Sequence, residues 1–148
     1  MISRRSEKRT NKIIRALNYR QPDLAVVLEN IHDPHNVSAI VRTCDSIGVG
    51  EVYLIYNQEK FPKIGKKSSA SAYKWVNKNN FKSVDECYNF LRENGFKILA
   101  TSLEGDSHSY WEVDFKGKVA IVMGNEHRGV SEEAWQKADL IIKIPMFG

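Results

Sequence analysis

The strongest constraint on this chain is a short unbroken apolar run, Leu24-Ala25-Val26-Val27-Leu28, followed by a polar loop and then apolar residues at helical spacing. A strand that is apolar on both faces has to be buried on both, as in a parallel sheet covered by helices. The pattern then repeats. Val37, Ile40, Val41, Cys44 and Ile47 mark a helix over about 36–47 with Gly48 as its stop, and Val52-Tyr53-Leu54-Ile55 is a second strand. A short strand is expected near Trp75-Val76. Ser83 caps a helix through about Arg92, closed by Asn94-Gly95, and strands follow at 96–100 and 118–123. Ser131 opens a short helix with Glu132 and Glu133 in its first turn, and 140–144 is the last strand. Strands alternating with helices predict an α/β fold, a mainly parallel sheet with helices on both faces. In such sheets the working site lies off the carboxyl ends of the strands, here the loops 29–35, 101–109, 124–129 and 145–148.

Charge is unevenly placed. The 22 basic and 18 acidic residues leave only +4, yet residues 1–20 hold Arg4, Arg5, Lys8, Arg9, Lys12, Arg15 and Arg20 against Glu7 alone. Residues 60–82 hold seven lysines and no acid, so the rest of the chain is acidic. The first segment reads as a helix anchored only by Ile13, Ile14 and Leu17. The second mixes lysines with Phe61, Tyr73, Trp75 and Phe81, a blend suited to RNA, whose bases can stack, more than to a membrane. Either segment alone also fits a solvated face; two in an otherwise acidic chain favour nucleic acid. Cys44 and Cys87 form neither a disulfide framework nor a metal spacing, which fits a cytoplasmic protein. No apolar run approaches the roughly 20 residues of a membrane helix, and the charged start lacks a signal-peptide core.

Several chemistries are excluded by motif. The chain has no G-x-G-x-x-G after a strand, no P-loop and no G-x-S-x-G elbow. His32 and His35 lack a third ligand at useful spacing, so no metal is expected. Three segments stay open to more than one reading. Asn36 either caps its helix or faces the site. Arg42 lies roughly 160° from the centre of the apolar stripe of that helix, and is a solvated side chain or a functional one. Gly124-Asn125-Glu126-His127-Arg128-Gly129 is a bare turn, or a close backbone approach to a ligand with Glu126 as a polar contact. Ile144-Pro145-Met146-Phe147-Gly148 is a strand terminus or an apolar lip for a flat heterocycle.

Taken together, these segments resemble a known family. Asn36-x5-Arg42, within the stretch from Leu28 to Asp45, resembles motif 1 of the SPOUT RNA 2'-O-methyltransferases. The stretch from Ile121 to Ser131 resembles their motif 2, and Ile144 to Gly148 the opening of motif 3. The leader ending Arg20-Gln21-Pro22-Asp23-Leu24, and Lys74-Trp75-Val76, resemble the TrmH branch, the tRNA guanosine-2'-O-methyltransferases that modify the D-loop guanosine at tRNA position 18.

The resemblance implies a cytoplasmic homodimer that uses S-adenosylmethionine, bound bent in a C-terminal trefoil knot, and acts on tRNA with no membrane or DNA partner. By position, Thr101, Gly124, Ile144 and Met146 line the cofactor pocket, Asn36 and Glu126 organise the site, and Arg42 is the main catalytic residue. Residues 1–20 are then a basic helical extension contacting tRNA, and 21–148 the SPOUT methyltransferase domain. Arg4, Arg5, Lys8, Arg9, Lys12 and Arg15, with Lys66, Lys67 and Lys74, form the RNA grip. The chain stops inside motif 3, so the knot segment is expected to be missing or incomplete, as in a fragment of a longer protein. Rival readings are a ribosomal RNA methyltransferase of the same superfamily and a catalytically silent RNA-binding module. The family's arginine is often described as a base. A guanidinium gives up its proton only at great cost, so Arg42 is better read as a cation holding phosphate and ribose hydroxyl while charge develops on the oxygen.

Overall fold

The computed structural model describes residues 4–65 and 72–147. The basic leader is α1 (Arg4–Asn18), and the apolar run behind it is β1 (Leu24–Glu29), from which the chain passes through α2 (Pro34–Ile47) to β2 (Glu51–Ile55). A short helix, α3 (Ala72–Trp75), leads to β3 (Asn77–Phe81), and α4 (Val84–Glu93) leads to β4 (Lys97–Thr101). β5 (His108–Ser109) and one 3-10 turn (Tyr110–Glu112) precede β6 (Val119–Met123), α5 (Glu132–Lys137) and β7 (Leu140–Lys143). The strands lie in the order β3-β2-β1-β6-β4-β7-β5, and each neighbouring pair is parallel. This is the α/β sheet that the alternating pattern predicts.

Side chains alternate across a strand, so a run buried on both sides feeds two cores. Ala25 and Val27 pack on one face with Tyr88 and Leu91 of α4 and Ala134 of α5. Val26 and Leu28 pack on the other with Val37, Val41 and Cys44 of α2. Fully burying each such Val or Leu is worth about 1.5–3 kcal/mol. Tyr88 is buried too, and its hydroxyl donates to the Ala134 carbonyl at 2.9 Å, tying α4 to α5. Ser83 and Ser131 cap α4 and α5 as the sequence indicates, accepting from the Glu86 and Ala134 amides at 3.1 and 3.2 Å.

Two expectations need correction, and one strand was not foreseen. First, α2 begins at Pro34, two residues early, and its cap is Asp33, whose carboxylate accepts from the His35 amide at 2.7 Å. Proline suits the first helical position because its missing N–H is not needed there. Asn36 is therefore not the cap. Second, the stretch at Trp75-Val76 is no strand: Trp75 ends α3, and the strand starts at Asn77 with the polar sequence NKNNF. As an edge strand, β3 needs little apolar surface; Asn77 and Asn79 instead donate to the two oxygens of Glu51 at 2.8 Å. Third, the two-residue β5 is too short to leave a periodicity. The stop at Gly48 holds: its φ is 84°, and a Cβ there would lie 2.1 Å from the Tyr19 carbonyl oxygen.

The leader is held mainly at its end. Ile13 is half-buried, but Ile14 and Leu17 are 50% and 59% exposed. The Arg20 guanidinium donates to the Val49 and Trp75 carbonyls, so this arginine serves the fold rather than a ligand. Among the described residues no helix is long and apolar enough to cross a membrane.

Candidate active site

β1 and β6 are neighbours, pairing Leu24 with Val119 through Leu28 with Met123. The chain leaves β1 toward α2 on one face and leaves β6 toward α5 on the other. Their exit loops diverge from adjacent strand ends, and such a divergence opens a crevice where open α/β sheets bind ligands.

Glu126 closes that crevice. Its carboxylate accepts from the backbone amides of His32 at 2.9 Å and Asp33 at 3.0 Å, and from the Asn36 side-chain amide at 2.8 Å. Burial opposes the charge, but the hydrogen bonds from Asn36, His32, Glu126's own amide and Asp33 outweigh it and hold the carboxyl at about 2. Glu126 is thus a fixed anion across working pH. Asn36, released from capping by Asp33, is turned to it. One residue earlier, Asn125 is buried; its amide donates to the Asn30 carbonyl at 2.8 Å, and its oxygen accepts from the His127 and Arg128 amides. Glu29, 2% exposed at the end of β1, accepts from the Ser131 amide and hydroxyl and so secures the start of α5.

Beside this polar seat lies a cleft of about 440 Å³ lined by Thr101, Leu103, Arg128, Gly129, Ile144 and Met146, among others. Three of the four expected cofactor residues face it. The fourth, Gly124, acts from behind: a Cβ there would lie 2.1 Å from the Val130 amide nitrogen and 2.2 Å from the Gly129 carbonyl carbon. Its lack of a side chain lets the loop fold back on itself; the close approach is to the protein's own backbone. The Thr101 hydroxyl is engaged with the Val122 carbonyl at 2.7 Å. The lip beyond β7 is open, with Ile144 63%, Met146 77% and Phe147 fully exposed.

Arg42 is not drawn into this network. It stands on the exposed face of α2, and no described residue holds it by hydrogen bond or ion pair. The basic residues of α1 are likewise exposed where their side chains are described: Lys8, Arg9, Lys12 and Arg15. Arg4 and Arg5 fall within α1. Lys66 and Lys67 lie outside the described residues. Lys74 lies at the amino ends of the strands, away from Glu126, in a cleft of about 470 Å³ with Arg20, Gly50 and Trp75.

The SpoU rRNA methylase family matches residues 23–148, nearly the whole sheet and every loop just described. The chain belongs to this family. It is 44% identical over 144 residues to the tRNA (guanosine(18)-2'-O)-methyltransferase of Thermus thermophilus, covering 97% of this chain and 74% of that one. A crystal structure of the Aquifex aeolicus TrmH/SpoU tRNA modifying enzyme superposes with a TM-score of 0.87 at 38% identity, covering 96% of this chain and 72% of that one. An AdoMet-bound rRNA methyltransferase from Sinorhizobium meliloti superposes with a TM-score of 0.65 at 25% identity, covering 88% and 50%.

In this SpoU-family chain the sequence reading did not single out Glu29, Asn30 or Asn125. Each is polar and buried. The sole local signal was that a fully apolar strand ends abruptly in Glu29-Asn30. Their partners lie 95 to 102 residues away for Asn125 and Ser131, a distance that no local pattern spans.

Proposed function

We infer that this chain transfers a methyl group from S-adenosylmethionine to the ribose 2'-hydroxyl of a tRNA guanosine, the one at position 18. The observation that carries the reading is the Glu126 seat, which fixes the loops after β1 and β6 beside a cleft of cofactor size. The relatives of known activity supply the reaction and the substrate. The cleft fits the cofactor: about 440 Å³ lies within the range of small-molecule sites, and its wall mixes apolar side chains with backbone. Thr101, Ile144 and Met146 would hold it, with Gly124 shaping the loop behind. Bound there, S-adenosylmethionine supplies an electrophilic methyl on a positively charged sulfur.

The chain's own residues do the rest. Asn36 and Glu126 fix the floor of the site, so that no loop has to reorganise as the ribose oxygen approaches. Arg42, which no described residue engages, is available to hold a substrate phosphate and the ribose hydroxyl. Its charge would offset the negative charge that develops on the ribose oxygen as the hydroxyl proton departs. The hydroxyl proton leaves to a phosphate oxygen or to water, since a guanidinium does not serve as a base. Residues 1–20 form a basic extension and 21–148 the methyltransferase domain, with tRNA held by Arg4, Arg5, Lys8, Arg9, Lys12, Arg15, Lys66, Lys67 and Lys74. The enzyme acts in the cytoplasm as a homodimer.

Incubation of the full-length protein with labelled S-adenosylmethionine and unmodified tRNA, followed by nuclease mapping, tests this. Methyl label in the ribose of guanosine 18 is the expected result. Label only in ribosomal RNA, or RNA binding with no transfer, would overturn it.

A further inference from the structure

Asn30 has a φ of 52°, and no other non-glycine among the described residues has a positive one. It is 3% exposed, and its side chain makes four hydrogen bonds. The amide oxygen accepts from three successive backbone amides, Asn57, Gln58 and Glu59, each at 3.1 Å, and the amide nitrogen donates to the Asn57 side chain at 2.8 Å. Consecutive N–H groups converging on one point form a nest of the sort that binds anions. Here an oxygen of the same chain fills it. On its other side, the Asn30 carbonyl accepts from Asn125, the residue before Glu126.

Asn30 therefore joins two structures that do different jobs. One is the Glu126 seat. The other is the loop after β2, which leads at once into the exposed Lys60 and Lys63. Nearby contacts brace the same joint: the Tyr56 hydroxyl donates to the Ile31 carbonyl at 3.0 Å, and Glu59 meets Arg128 at 3.0 Å. Backbone shape alone does not explain an asparagine here, because glycine adopts this φ more easily. What asparagine adds is the side-chain amide and the four hydrogen bonds it makes.

We propose that Asn30 is a positioning residue that sets the lysine loop in register with the Glu126 seat, so that RNA gripped by Lys60 and Lys63 is presented to the methyl-transfer site. This rests on the reading of the chain as a tRNA methyltransferase. Asn30→Gly is the informative variant: its backbone suits the observed φ, and it removes only the side-chain bonds. In the full-length protein the KM for unmodified tRNA is expected to rise about tenfold with kcat and S-adenosylmethionine affinity little changed, the pattern of binding energy lost equally from ground and transition state when the lysine grip slips. Asn30→Asp keeps an oxygen for the three amides and is expected to recover most of the loss. Combined with Lys60→Gln and Lys63→Gln, Asn30→Gly should add little further, since both act through one loop.

A wild-type KM in Asn30→Gly overturns the proposal. So does a parallel loss of cofactor binding, full additivity with the lysine variants, or an aspartate variant as impaired as the glycine one. If Asn30→Gly does not fold, the aspartate variant and the lysine pair still decide, by rescue and by the KM change. A wild-type protein that methylates no tRNA refutes the functional reading itself; an active enzyme indifferent to Asn30→Gly refutes only the role of Asn30.

Discussion

At the carboxyl ends of β1 and β6, Glu29 and Glu126 each collect hydrogen bonds from neighbouring loops, while Lys8, Arg9, Lys12 and Arg15 of α1 stand exposed with no described acid paired to them. The carboxylates are consumed in holding geometry. The cations are left over. Arg42 belongs with the second group although it sits on α2, the helix that supplies Asn36 to the first. On the proposed function the contrast separates two tasks: loops that must not move are tied by internal anions, and groups that would meet a polyanion are kept free of them. Free cations in a cluster repel one another mildly, and a phosphate backbone relieves that.

The largest test of this division is Arg42. If it is a free cation waiting for substrate, Arg42→Ala should cut kcat about 100- to 1,000-fold, the usual cost of losing one charge-stabilising donor. Melting temperature and S-adenosylmethionine binding should not change, because nothing described in the fold depends on it. Arg42→Lys keeps the charge and loses the planar fork. Partial activity is expected; full activity would show that the fork is dispensable, and normal turnover in Arg42→Ala would remove Arg42 from catalysis.

Glu126 tests the opposite side. Glu126→Gln puts an amide nitrogen against donors that now meet an oxygen, so the loop 32–36 should loosen. A fall in kcat of at least tenfold, equivalent to about 1.4 kcal/mol of barrier, is expected, together with faster amide hydrogen exchange at His32 and Asp33. Unchanged exchange at those two amides would mean that the seat does not fix the loop.

How these roles could be read beforehand differs by residue. The sheet, its two helical faces, Gly48 and the caps at Ser83 and Ser131 were legible because they depend on periodicity and on neighbours in the chain. Asn36 and Glu126 stood out as candidates through the motifs, but the local rule for Asn36 pointed to a cap, and the tertiary bond to Glu126 won because Asp33 already capped the helix. At Gly124 the sequence suggested close approach to a ligand, and the crowding the structure shows comes from the backbone of Gly129 and Val130. The amide ties of Asn30 and Asn125 were illegible, since a buried asparagine declares itself only once its partners are in place. Arg20, which belongs to the basic leader by charge count, is held by two carbonyls of the fold.

The cations of α1 give a smaller, graded effect. Replacing Lys8, Arg9, Lys12 and Arg15 by Gln should weaken tRNA binding at low salt with kcat preserved at saturating tRNA. The log–log salt slope should flatten by about 0.7–0.9 for each phosphate that is no longer neutralised. An unchanged slope would show that α1 does not touch the backbone and would break the pairing of free cations with RNA. Arg20→Gln, by contrast, should lower the melting temperature and leave the slope alone.

The smallest effect is the pH dependence of the Glu126 seat. Its carboxyl titrates at about 2, below the roughly 4.3 of a free glutamate. A depressed carboxyl contributes stability that is fully present above the unfolded value and disappears as the pH falls through the folded one. Its contribution should therefore be constant from neutrality down to about pH 5 and fade between about pH 4 and 2. Because Glu126 is exposed, solvent screening keeps the change small. Amide exchange at His32 and Asp33, followed against pH, should detect it where global melting does not: protection should persist through pH 4 in the wild type and be flat and low in Glu126→Gln. Loss of protection centred near the roughly 4.3 of a free glutamate would place the carboxyl at an ordinary value and leave the loop after β1 held by packing instead.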